Sequence, residues 1–209
     1  MLSTTLKSLF LAGAVAAFAG LPAAASAAVL LVDGGGQLTG ARNVDVGGKL
    51  FDVQFVDGTC IGVFGGCDES SDFAFTNETD ARAAGQALLD QVFLDTPEGM
   101  FDSDSDLTVG CTDTAGLFCN AVIPYAASDP SFPDRAATVS ARNEDNDSFE
   151  GVFGPGNVRK DFDLSASELS VFARFTESVA GDVPTPGALS LLGLGLAGLA
   201  VAGRRRRKG

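Results

Sequence analysis

The apolar ending of this chain limits most strongly what the rest can fold into. From Gly187 to Gly203 the residues carry no charge and are rich in Leu, Gly and Ala, and Arg204, Arg205, Arg206, Arg207 and Lys208 follow at once. Roughly seventeen apolar residues is the short limit for a helix crossing a bilayer core of about 30 Å, so length alone leaves the assignment open. The flank decides it, because clustered Arg and Lys stay on the cytoplasmic side and leave the residues before the span outside. The opposite end agrees. Lys7 precedes an apolar run from Leu9 to Phe18, Gly20 to Pro22 interrupts it, and Ala25-Ser26-Ala27 supplies small residues where a leader is cut. That order predicts a secretory signal peptide cleaved after Ala27. The expected organisation is residues 1–27 as signal peptide, 28–182 as one exported domain, and 183–209 as a tail holding a separate C-terminal transmembrane helix.

Between those ends the charge is lopsided. Residues 28–182 hold all 27 Asp and Glu but only 8 of the 14 Lys and Arg, a balance of −19. Such a surface repels phosphate backbones and excludes nucleic acid as an expected partner. The four cysteines, Cys60, Cys67, Cys111 and Cys119, all fall in this segment, and an oxidising compartment makes disulfides the default. Four cysteines allow three connectivities. The two short spacings favour Cys60 with Cys67 and Cys111 with Cys119. Zinc is the competing use, but neither pair has C-x-x-C spacing and the chain has no histidine.

Pro184 and Pro186 stand just before the apolar span and hold the chain extended, since proline forbids continuing a helix. Val183, Pro184, Thr185 and Pro186, the span and the Arg cluster together resemble the PEP-CTERM sorting domain over about 27 residues. Thr185 stands where that family's motif has Glu, which leaves open which processing enzyme reads it. The resemblance implies recognition by an exosortase-like enzyme in a Gram-negative bacterium that makes extracellular polysaccharide. It also implies transient residence in the inner membrane, then the cell surface or extracellular matrix, with the polysaccharide itself as a partner. "VDGTC" and "ALLDQVFLD" are similar to stretches in uncharacterised members of the family and bring no activity with them.

Within the exported segment, Val44–Val46, Gly47-Gly48 and Lys49–Val56 predict a β-hairpin, because paired glycines reach the positive φ of a two-residue turn. Phe51, Val53 and Phe55 then share one face and Asp52 and Gln54 the other. Residues 77–94 predict the one main helix. Asn77 can cap it, Glu78 and Asp80 suit its positive end, and Ala81, Ala84, Leu88 and Val92 form one stripe. Shorter β-like runs follow at 121–123, 135–142, 149–153 and 169–176. For the last, the alternation of Leu169, Val171, Ala173 and Phe175 favours a strand over a short helix capped between Ser165 and Glu168. The expected class is α+β, with antiparallel sheet covered by that helix.

Chemistry is sparse. Asp102, Asp104, Asp106 and Asp113 occupy alternate positions of a calcium-loop template, but Leu107 stands where the template needs Gly, so a solvated acidic loop is the simpler expectation. "NEDNDSFE" at 143–150 has similar content and suits a polar turn. "VDGGGQLTG" lacks the Lys of a phosphate loop and also suits a turn. Without histidine there is no Ser-His-Asp or Cys-His unit. A glycosidase-like pair of carboxylates is the remaining enzymatic option, against which stand the absence of Trp and a single Tyr. The expectation is therefore a non-enzymatic binding or structural module without a cofactor, with a calcium-dependent adhesion module as the alternative and a carboxylate-based polysaccharide hydrolase behind it.

Overall fold

The computed structural model describes residues 27–111, 118–146 and 148–178. The body of the signal peptide, the sorting motif at 183–186, the apolar span and the Arg cluster at 204–208 lie outside the described residues. Among the described residues no helix is long and apolar enough to cross a membrane.

Strand formation begins at the first apolar run after the expected cleavage point. β1 (Val29–Val32) turns back into β2 (Leu38–Val46). The Asp33 carboxylate closes this glycine-rich turn by accepting the backbone N–H groups of Gly35 at 2.8 Å and Gln37 at 3.0 Å. β2 then enters β3 (Lys49–Val56) through Gly47 and Gly48, whose φ angles of 62° and 88° are those of the expected two-residue turn. Phe51, Val53 and Phe55 are buried on one face of β3, as the alternation predicts. Where the two strands cross closely, a Cβ on Gly40 would lie 2.1 Å from the Val53 carbonyl oxygen, so only glycine fits.

A short helix the sequence did not reveal, α1 (Cys60–Phe64), follows β3, with the Thr59 hydroxyl capping its start. The main helix, α2 (Glu78–Gln91), is capped by Asn77, whose Oδ1 accepts the Asp80 N–H at 2.9 Å. All four residues of the predicted stripe, Ala81, Ala84, Leu88 and Val92, are fully buried. The helix stops three residues short of the expected end, and Phe93 turns inward to stack on Phe55 with ring centroids 5.5 Å apart. Packing in the core overrides continuation of the helix.

The rest is mostly strand. A small hairpin of β4 (Asp95–Thr96) and β5 (Gly99–Met100) leads to β6 (Phe118–Ala126), β7 (Arg135–Glu144), β8 (Gly151–Arg159) and β9 (Ser170–Glu177). Ser165 lies in a single 3-10 turn capped by Asp163 instead of starting a helix, so the last run is the strand that its alternation predicts.

Seven strands form one sheet in the order β1-β2-β3-β9-β6-β7-β8. Neighbours are antiparallel except β6 and β9, which are parallel. The α+β expectation stands, and the parallel pair is the departure from an all-antiparallel sheet. It arises because β9, last in sequence, inserts between two three-stranded meanders, pairing Phe55 with Ala173 on one side and Ala121 with Val171 on the other. α2 covers the front face, packing on β2, β6, β7 and β8. On the back face α1 and the 160–169 crossover cover only part of the sheet, burying Val122, Ala136 and Phe172 beneath Cys60, Val63, Phe73 and Leu164. Elsewhere that face is open, with Gln54, Phe153, Arg174 and Thr176 exposed.

Candidate functional site

Both short-range cysteine pairs are closed. Cys60 joins Cys67 and Cys111 joins Cys119, each with Cα atoms 5.7 Å apart, within the ordinary span of a disulfide, and no cysteine is free. The first staple clamps α1 and its αL cap Gly65 onto the back face; the second ties Cys111 to β6 inside the front core.

The structure brings together the two acidic segments that the sequence singles out separately. The Ser105 N–H donates to Asp145 Oδ1 at 2.8 Å, and the buried Asn143 amide donates to the Phe101 carbonyl at 2.6 Å. Asp104 is exposed, Asp102 and Asp106 are half-buried and each has a partner, and Asp113 lies outside the described residues. Among the described residues no three of His, Cys, Asp and Glu gather closely enough to hold a metal. Ser105 Oγ and Asn143 Oδ1 in these two segments, and Thr108 Oγ1 just beyond the first, are buried without a hydrogen-bond partner among the described residues. Orphaned buried oxygens call for water or a cation. Nearby, Asp95 accepts the N–H groups of Asp102 and Ser103, both at 3.1 Å, and the Ser103 hydroxyl at 2.8 Å; these bonds hold its carboxyl below the usual aspartate range.

A groove of about 410 Å³ opens on the back face, between β7, β8 and the crossover to β9. Arg135, Asn157, Arg159 and Phe162 line it together with the hydroxyl-bearing Thr138 and Ser140. Arg135 and Arg159 are direct partners in the β7–β8 ladder, so two guanidinium groups face each other across neighbouring strands. Arg159 turns to Asp161, 2.8 Å away. Arg135 has no carboxylate partner among the described residues. It donates from Nη1 to Asn157 Oδ1 at 2.9 Å and lies 4.9 Å from the centre of the Phe132 ring, while its Nε–H is buried without an acceptor. Further along β7, Arg142 stacks 3.6 Å above the Phe118 ring.

Compared with known proteins, the chain matches no family model, no curated protein and no solved structure. Its own chemistry must carry the functional reading.

Among the described residues the Asp57 carboxyl departs upward. Partial burial, and then the charge of Asp163, push Asp57 above the usual aspartate range, while the Ser165 hydroxyl and N–H hold Asp163 below it. The sequence did not point to the groove at all. Its residues come from β7, β8 and the crossover, and the one available signal was phenylalanine set among polar turn residues, in "SFPD", "DSFE" and "DFDL". Phe132, Phe149 and Phe162 in those segments are all exposed, as is Phe153 on β8.

Proposed function

We propose that this chain is an exported, non-enzymatic binding or structural module, delivered by an exosortase-type system to the cell surface or extracellular matrix. The observation that carries the reading is the closure of both cysteine pairs within the segment lying between the expected leader and the tail. Such staples persist in oxidising surroundings and are rare where thiols are kept reduced. The acidic surface and the tail's resemblance to the PEP-CTERM sorting domain agree with it. Deleting residues 183–209 tests the delivery: the truncated protein is expected to be secreted and lost from the cell surface, and unchanged fractionation would refute the sorting role.

A calcium-dependent module is the second reading, favoured by the buried, unpartnered oxygens of Ser105 and Asn143 in the two segments that the Ser105–Asp145 and Asn143–Phe101 hydrogen bonds join. Hard cations bind oxygen donors of this kind. Calorimetry of the exported protein decides it, since no heat and no thermal stabilisation at millimolar calcium would remove the cation.

A further inference from the structure

Two stretches of the chain carry the triplet Asn-x-Ser/Thr at which exported proteins accept a glycan, Asn77-Glu78-Thr79 and Asn146-Asp147-Ser148. So short a triplet arises readily by chance, but the fold treats the two quite differently. Asn77 caps α2, its Oδ1 accepting the Asp80 N–H at 2.9 Å and its Nδ2 donating to the Asp80 carboxylate at 2.7 Å. That amide nitrogen is spent. Glu78 and Thr79 are already wound into the first turn of the helix, so the triplet is not offered as extended chain.

Asn146 differs on each count. It is exposed in the connection between β7 and β8, outside helix and strand. Its Oδ1 accepts the Ser148 N–H at 3.1 Å, and the Ser148 hydroxyl turns back to the Asn146 carbonyl at 3.4 Å, while Nδ2 donates to nothing among the described residues. Asp147 between them need only differ from proline. Glu144 accepts the Phe149 N–H and Asp145 accepts the Ser105 N–H, so both ends of the connection are tied and the acceptor is presented near its tip. An amide nitrogen is a poor nucleophile because its lone pair is shared with the carbonyl. A donor on Oδ1 stabilises the negative charge that this oxygen takes up as Nδ2 loses a proton. We propose that Asn146 is a glycosylation site, its Nδ2 taking a saccharide from a lipid-diphosphate-linked donor. In that step Nδ2 bonds to the anomeric carbon and the bond from that carbon to the diphosphate oxygen breaks. Lipid diphosphate leaves with the electron pair, and a base of the transferase takes the Nδ2 proton. The site rests on the reading of the chain as exported, which brings it to such a donor. The glycan also has a physical use there. Phe149, three residues on, is 68% exposed, and a hydrated saccharide beside it shields the ring from association with other apolar surfaces.

The test is glycopeptide mass spectrometry of the protein recovered from the surface and medium of the cells that make it, with fragmentation that places the added mass on a residue. Saccharide mass is expected on Asn146 and none on Asn77. Asn146→Gln removes the acceptor and abolishes the modification. Ser148→Ala keeps the backbone N–H but loses the hydroxyl that the triplet requires, and is expected to lower occupancy about tenfold. Ser148→Thr restores it, and Asn77→Gln leaves Asn146 as occupied as before. Thermal melting checks that each variant folds, and if Asn146→Gln does not, the comparison of Ser148→Ala with Ser148→Thr carries the test. Unmodified Asn146 in exported protein, equal occupancy of Asn77, or full occupancy in Ser148→Ala would overturn the proposal. Unmodified protein at the surface sinks the glycan and leaves the delivery intact, whereas unmodified protein confined to the cytosol with its leader uncut sinks both.

Discussion

Removing β9 should abolish folding, although it is the last described element in the chain. Its side chains Val171 and Phe172 are fully buried and Phe175 is 6% exposed. Burying an aliphatic or aromatic side chain of this size contributes about 1.5 to 3 kcal/mol, so three together contribute about 5 to 9 kcal/mol as an upper estimate. Whole domains are stable by only about 5 to 15 kcal/mol. The strand also closes the sheet, since β3 and β6 both pair with it and each would become an unpaired edge without it. A chain stopped after Ser178 is expected to melt cooperatively at the temperature of the full exported segment. One stopped after Glu168 is expected to show no cooperative transition. Scanning calorimetry of the two secreted proteins measures this. A cooperative melt within a few degrees in the shorter protein would refute the idea that β9 joins the two meanders into one folding unit.

Three further outcomes follow from the same structure. Replacing Cys60 and Cys67 by serine opens a loop of about eight residues, which costs about 2.5 kcal/mol in the chain-entropy picture, read as a fall in urea midpoint with a slope equal to or steeper than the parent's, because the uncrosslinked unfolded chain exposes more surface. Hydrogen bonds hold Asp33, Asp95, Asp161 and Asp163 below the usual aspartate range, from backbone N–H groups at Asp33, from Ser103 at Asp95, from Arg159 at Asp161 and from Ser165 at Asp163. Their contribution is present above the unfolded value of about 3.9 and lost as pH falls through the lower folded values, so melting temperature should hold from neutral pH to about pH 5 and drop below pH 4. Asp57 has the opposite sign: its raised pKa means the charged form opposes folding at neutral pH, so Asp57→Asn should raise the melting temperature at pH 7 and lose that advantage near pH 4; a lower melting temperature at pH 7 would contradict the burial argument.

What the sequence determined by itself is local. Gly47 and Gly48 specify their turn because the required φ angles belong to those two residues alone, and Asn77 specifies its helix start because the N–H donor it accepts from lies three residues on, at Asp80. The alternation of Phe51, Val53 and Phe55 and the stripe from Ala81 to Val92 mark buried faces for the same reason, and the nearest cysteines pair because a short loop closes at little entropic cost. α1 escaped notice because five residues are too few to show a helical period. The tertiary structure decided everything that depends on distant partners. β9 could have joined an edge as easily as the centre by its own pattern; only the pairing of Phe55 with Ala173 and of Ala121 with Val171 places it between the meanders. The meeting of Ser105 with Asp145 and the facing of Arg135 and Arg159 have the same origin, since register and sheet order are set by which apolar faces bury together across the whole domain and leave no local trace.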